Sequence, residues 1–328
     1  MTLNLYWNPV RSRASILHFF NGVCLSRQKW VVTYEATVPR LGFRKTFDWL
    51  IRLAVNKLVA PNCIKLIAMS RFAYKIQKRY LEINYPEHTD SIMSKTVILH
   101  PPQKLLVADL SEKPPVSDGI VFTFIGNEFF RKGGREIIEV FQKLDMEGYN
   151  FTLNIISSFV PDAYASDTSI SDQREYLAVL ARLPKSTKIY SNLENHVVVS
   201  LLRKTHVALL PTYADTYGYS VLEAQACGCP VISTDIEALP EINNGGCGWI
   251  ISLPKDDIGY AILGSQSKIA AVSEAIMSGL YQTVTDIYSS PEVITRKAEA
   301  SLCRIASMHD PGEHGRKLEK IYQCAYVN

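Results

Sequence analysis

Short apolar runs alternate with amphipathic stretches along most of this chain. The runs at 14–24 and 29–35 predict two successive buried strands joined by a short connection. A helical stretch follows near 42–58, then a strand over 63–70. Residues 71–82 read as a helix with apolar positions at Phe72, Ala73, Ile76 and Tyr80, and 95–100 as a strand closed by Pro101-Pro102. The rhythm resumes with strands at 120–126, 151–156 and 187–190, between helical patterns at 133–144, 173–183 and 195–204. Helical patterns near 265–281, 292–308 and 313–326 close the chain. Strands alternating with helices imply an α/β fold, in which helices cover a parallel sheet.

One stretch organises the second half. His206-Val-Ala-Leu-Leu-Pro211 is a short apolar run, and Pro230-Val-Ile-Ser-Thr234 is another. Between them a loop containing Gly218 opens into a short helix. Ser220 stands at a capping position with Glu223 three residues on, the capping-box spacing. Gly228 stops the helix, and Pro230 keeps it from continuing. Asp215 and Glu223 place two carboxylates around a helix start, where unpaired N–H groups and the positive dipole end suit an anion.

At 328 residues the chain has room for two domains. Residues 111–118, Ser-Glu-Lys-Pro-Pro-Val-Ser-Asp, form the most linker-like segment, dividing residues 1–110 from 119–328. No apolar run approaches the ~18 residues that a membrane span needs. The N-terminus lacks a basic-then-apolar signal pattern, which argues for the cytoplasm. Seven scattered cysteines argue for reduced thiols rather than a disulfide framework. Cys227-Gly-Cys229 has no further Cys or His at ligand spacing, so metal binding is disfavoured there.

The formal charge of +3 hides an asymmetry. In residues 1–118, 17 Lys and Arg face 8 Asp and Glu, whereas the remainder is acidic. Ten basic residues between Arg40 and Arg79 face Asp48 alone, with aromatic and aliphatic residues interleaved. That pattern suits peripheral contact with an anionic membrane surface or a phosphate-bearing acceptor. A solvated helix face explains it equally well. Nucleic acid fits less well, because no recognised binding module accompanies the charge.

The motifs of the second half carry a resemblance. Gly126-Asn-Glu-Phe-Phe-Arg-Lys132-Gly133, then Leu209-Leu-Pro-Thr-Tyr-Ala-Asp215, Glu223-Ala-Gln-Ala-Cys-Gly-Cys-Pro-Val-Ile-Ser-Thr-Asp235, Leu239-Pro-Glu-Ile and Asn244-Gly-Gly-Cys-Gly-Trp follow in order. Over roughly 119–255 the chain resembles the donor-binding domain of retaining GT-B glycosyltransferases. These are the family 4-like, group 1 enzymes marked by two acids with seven residues between them. The closing helix is similar to one that in such enzymes packs back on the first domain. The first domain, 1–110, is matched more weakly and reads as a shortened Rossmann-like acceptor domain.

The resemblance implies two Rossmann-like domains facing a cleft, and sugar transfer from a nucleotide-diphosphate-sugar to a glycan or lipid-linked acceptor, in surface-polysaccharide biosynthesis. It implies catalytic roles for Asp215, Glu223, Lys132 and His18, with Glu223 on the ribose hydroxyls and Asp215 on the sugar. Donor contacts fall on Gly126, Asn127, Arg131 and Lys132, and on Tyr217, Gly218, Tyr219, Ser220, Val221 and Glu223. Neither a cofactor nor a metal is required, since the protein mainly stabilises a departing diphosphate. Three departures stand out: Asp215 replaces the usual Glu, Asn127 replaces a common Arg, and Ser157-Ser158 replace a Gly pair. They leave open a weak or inactive nucleotide- or glycan-binding protein, or a partner subunit of an active transferase. An epimerase acting on the nucleotide-sugar is a further rival, but the acids or His it needs deep in the first domain are not found.

Overall fold

The computed structural model describes residues 4–7, 14–40, 48–116, 119–159, 183 and 186–327. The chain divides into two compact units, Met1–Pro102 with His309–Asn328, and Gln103–Met308. The expected linker 111–118, where described, belongs to the second unit. It is pinned there: Lys113 donates to the carbonyls of Leu202 (2.8 Å) and Thr205 (2.9 Å), and His206 donates to Pro114 O at 3.0 Å.

Among the described residues, the first unit contains strands β1 (Leu5–Tyr6), β2 (Leu17–Phe20), β3 (Val23–Cys24), β4 (Trp30–Tyr34), β5 (Cys63–Ala68) and β6 (Thr96–Ile98). β2, β4, β5 and β6 pair in that order, all parallel. β1 and β3 form a separate parallel pair, so the single strand expected over 14–24 is broken. The break is Asn21, held at φ 53, where an Asn side chain is tolerated. Its side chain clasps Glu35 through two hydrogen bonds of 3.2 and 3.3 Å.

Helices α1 (Asp48–Val59), α2 (Arg71–Asn84) and α3 (Pro86–Met93) accompany this sheet, and α10 (Pro311–Val327) packs on β5. Central β4 is buried except at Thr33, the pattern of a strand covered on both faces. Lys95 closes the end of α1 by donating to the carbonyls of Val59 (2.7 Å) and Ala60 (2.9 Å). Ser70 caps α2, accepting from Ala73 N at 2.9 Å.

Among the described residues, the second unit holds β7 (Ile120–Ile125), β8 (Phe151–Ile156), β9 (Thr187–Tyr190), β10 (Val207–Leu210), β11 (Val231–Thr234) and β12 (Gly248–Ile251). Their order is β12-β11-β10-β7-β8-β9, all parallel. The helices are α4 (Gly134–Met146), α5 (Asn195–Arg203), α6 (Tyr219–Ala226), α7 (Leu239–Ile242), α8 (Gln266–Ser289) and α9 (Glu292–Met308). The first of the three last helical patterns runs on to Ser289, because buried residues recur at Val272, Ile276, Leu280, Val284 and Ile287. The helix expected over 173–183 lies outside the described residues, apart from residue 183, a bend.

From β7 the chain adds β8 and β9 on one side, then returns to add β10, β11 and β12 on the other. The strand order therefore reverses between β7 and β10. In open α/β sheets that reversal leaves a crevice beyond the carboxyl ends of the two strands, where ligands bind. No helix among the described residues is long and apolar enough to cross a membrane.

Candidate functional site at the β7–β10 switch point

Two loops leave the sheet at this reversal. One runs from Gly126 through Lys132 to Gly133, the N-cap of α4; the other runs from Pro211 to Gly218, the N-cap of α6. They are locked together through their backbones. Arg131 O accepts from Tyr213 N at 2.9 Å and from Thr212 Oγ1 at 3.0 Å. Gly133 has φ 81, and a Cβ there would stand 2.1 Å from Pro211 O. Only glycine allows this approach. A Cβ on Gly126 would likewise come within 2.9 Å of the Lys132 stem.

This clasp brings Lys132 and Asp215 together. Lys132 Nζ pairs with Asp215 Oδ2, and both side chains are 13% exposed. The other carboxylate oxygen accepts from Gly218 N at 2.9 Å and Tyr217 N at 3.3 Å. Asp215 thus caps the approach to α6 with its own short side chain, an Asx turn. The expected capping box on Ser220 and Glu223 is not formed. The N-cap lies two residues before Ser220, at Gly218, which takes a left-handed φ of 87. A Cβ at Gly218 would meet Leu239 Cδ2 at 2.6 Å.

Along α6, Val221 is fully buried, Ser220 half-buried and Tyr219 exposed, its ring 5.4 Å from that of buried Tyr217. Glu223 is half-buried, and its carboxyl is bonded to the side chain of Asn195 at the start of α5. Burial pushes its pKa up, and the Asn195 bond only partly offsets this. Arg131 pairs with Glu128, which draws its charge to that side of the loop. Exposed Asn127 lies at the strand end, its carbonyl 3.4 Å from Ser157 Oγ. Most predicted donor residues therefore gather on the two loops and α6.

His18 belongs to the first unit. Its Nδ1 lies 2.6 Å from Tyr322 OH on α10, and its Nε2 lies 2.8 Å from Thr33 Oγ1. Both ring nitrogens thus have partners inside that unit. Cys227 and Cys229 are buried thiols, and Lys113 donates to the Cys229 sulfur at 2.9 Å. Among the described residues there is no cluster of three or more metal-ligating groups.

Two acids at this site escape a reading of the sequence. Glu136, on the first turn of α4, is 1% exposed and accepts from Tyr213 OH at 2.6 Å and Ser273 Oγ at 2.7 Å. It holds Tyr213 and α8 in place beside the β10 loop. Glu237 follows β11 at φ 50, and its carboxyl accepts the backbone N–H of Asp215. Burial, then the Asp215 charge, push its pKa up to about 7, against the opposing pull of Lys132 and Arg131. Glu237 stands three residues beyond the predicted strand 230–234, behind the nearer acid Asp235, so nothing in the sequence sets it apart.

The fold is that of the GT-B glycosyltransferases. Residues 108–261 match the family described as "Glycosyl transferases group 1". A crystallised glycosyltransferase from Rickettsia africae is 16% identical, with TM-score 0.65 over 96% of this chain and 77% of that one. HepE from Anabaena, solved with UDP and glucose, is 13% identical, with TM-score 0.61 over 90% of this chain and 72% of that one. CapM, a capsular polysaccharide biosynthesis glycosyltransferase of Staphylococcus aureus, is 30% identical over 42% of this chain and 33% of its own length. The chain thus matches about a third of that curated relative.

Proposed function

We propose that this chain is a retaining glycosyltransferase that draws on a nucleotide-diphosphate-sugar. The observation that carries the reading is the pairing of Lys132 with Asp215 at the switch point, beside the start of α6. Lys132 has three N–H donors and sits where a leaving diphosphate needs positive charge. The N-terminal end of α6 adds its dipole. Glu223, an acceptor-only group when ionised, suits the ribose hydroxyls, and Asp215 suits the sugar. Neutralisation by Lys132 and the helix end is proposed to serve without a divalent metal.

The acceptor is a glycan or a lipid-linked saccharide, in surface-polysaccharide assembly; CapM, whose printed role is capsular polysaccharide biosynthesis, supports that setting. Peripheral contact with a membrane is proposed through the basic first unit. There Trp49 is 64% exposed on α1 beside exposed Arg52, and α2 presents exposed Arg71, Lys75, Lys78 and Arg79.

A panel of nucleotides and nucleotide-sugars tested by thermal unfolding examines this. A bound nucleotide at ~100 times its dissociation constant adds ~2.7 kcal/mol of stability. Lys132→Ala and Glu223→Ala are expected to weaken that response, and no response to any nucleotide sinks the reading. A protein that binds the donor without transferring sugar is the rival, favoured by Asp215, whose two oxygens are both engaged. Release of free sugar from a stabilising nucleotide-sugar decides for the transferase.

A further inference from the structure

Glu237 is costly to the fold in two independent ways. It is a non-glycine residue at φ 50, in the left-handed region that side chains rarely adopt. Its carboxyl also lies beside a second carboxylate, Asp215. Local rules broken together at one residue mark sites selected for function rather than stability. The backbone secures this placement, since Glu237 N donates to Gly259 O at 2.9 Å.

The side chain lines a cavity of about 350 Å³ together with Tyr213, Ala214, Tyr260, Ala261 and Leu263. Its walls come from the segments that follow β10, β11 and β12, so it lies beyond the strand ends, next to the Lys132–Asp215 pair. It has room for a sugar ring. Lys132 and the α6 start suit the anionic part of a donor, whereas Glu237 does not. A carboxylate accepts hydroxyl protons readily and repels another carboxylate.

We propose that Glu237 is a specificity-determining residue that accepts hydrogen bonds from the hydroxyls of a neutral transferred sugar and rejects sugars bearing a carboxylate. This rests on the donor-site reading of the preceding section. Rejection by a built-in repulsive group is an ordinary route to specificity. The charged groups facing Glu237 are Lys132 and Arg131 ahead of α4 and Asp215 after β10, with the titratable residues Tyr213 and Tyr260 on the cavity wall. Because its pKa is pushed up to about 7, the rejection strengthens as pH rises from about 6 to about 8.

The test is calorimetric titration of the full chain with UDP, UDP-glucose and UDP-glucuronate; if GDP is the diphosphate that binds, GDP-mannose and GDP-mannuronate replace them. The wild-type chain is expected to prefer the neutral sugar by ~10-fold or more, with the preference growing with pH. Glu237→Gln is expected to lose most of that preference while binding the free diphosphate within ~2-fold of wild type. Glu237→Gly fits the left-handed backbone, so it keeps the fold and is expected to lose the preference too. An unchanged preference in both variants overturns the proposal, as does a parallel loss of affinity for the free diphosphate. A wild-type chain that binds the diphosphate without discriminating between the sugars also overturns it, with the donor site left standing. A wild-type chain that binds no nucleoside diphosphate overturns both readings.

Discussion

Lys132 and Asp215 are joined by an ion pair across the β7–β10 reversal, although 83 positions separate them in sequence. Their meeting depends on the shortness of Asp215, whose second oxygen turns back to Gly218 N at 2.9 Å. One residue thereby sets both the start of α6 and the position of the cation.

Substitutions at Asp215 should separate those two tasks. Asp215→Ala removes the acceptor for Gly218 N and strands the Lys132 charge, at an expected cost of about 2–3 kcal/mol. Asp215→Asn keeps a carbonyl for the N–H and is expected to cost about 1 kcal/mol. Urea denaturation measures both. Equal costs would show that capping by this side chain contributes nothing.

Gly133 is expected to be intolerant of even one methyl group. Gly133→Ala combines a left-handed φ with a contact of 2.1 Å to Pro211 O, and should cost about 2–4 kcal/mol. Gly148 has φ 85 and nothing within 4 Å of an added Cβ, so Gly148→Ala should cost only ~1 kcal/mol. If the two variants melt together, the clasp between the loops is not what positions Lys132.

At Glu136 the acceptor matters more than the charge. Burial raises its pKa, against the hydrogen bonds from Tyr213 and Ser273, so a neutral acceptor suits the site. Glu136→Gln should stay within about 1 kcal/mol of wild type, whereas Glu136→Leu leaves two hydroxyls without their acceptor and should cost about 2–4 kcal/mol. Denaturation midpoints compare them. A Gln variant as unstable as the Leu variant would show that the ionised carboxylate is required.

The contribution of Glu237 to stability should fall as pH rises from about 4.5 to about 7. Glu237 has its pKa raised from 4.5 to about 7, so in that window the folded chain holds a proton that the unfolded chain has released. Glu237→Gln should flatten this slope and raise the melting temperature above about pH 7. Glu136 and Glu223, both raised by burial, add to this contribution, whereas His18, His206 and His314, lowered by burial, oppose it, so the comparison is between the slopes of wild type and Glu237→Gln. Identical slopes in the wild type and in Glu237→Gln would remove Glu237 from the account.

Much of this could be read from the chain alone, because parallel strands buried on both faces are continuous apolar runs. β4, β5, β7, β8 and β10 lie within the stretches where those runs predict them. Ser220 and Glu223 imitate a capping box and so point to too late a start for α6, while the true cap, Gly218, depends on a left-handed glycine packed against Leu239. The break at Asn21 depends on its grip on Glu35, a partner from the next strand unit. Glu136 and Glu237 could not be singled out, since their surroundings come from segments distant in sequence. Acids at a helix start or beyond a strand end are ordinary until Tyr213, Ser273 or Asp215 is placed against them.

The fit of Gly133 against Pro211 makes the loops after β7 and β10 a single block with no slack in it. A change of substrate therefore has little freedom on that side, where any added bulk shifts the cation along with the turn. Gly264, which follows β12 and borders the cavity, by contrast has nothing within 4 Å of an added Cβ. Retargeting by laboratory evolution should accordingly accumulate changes at Glu237 and across 252–264, and leave the stretch from Gly126 to Gly133 as it stands.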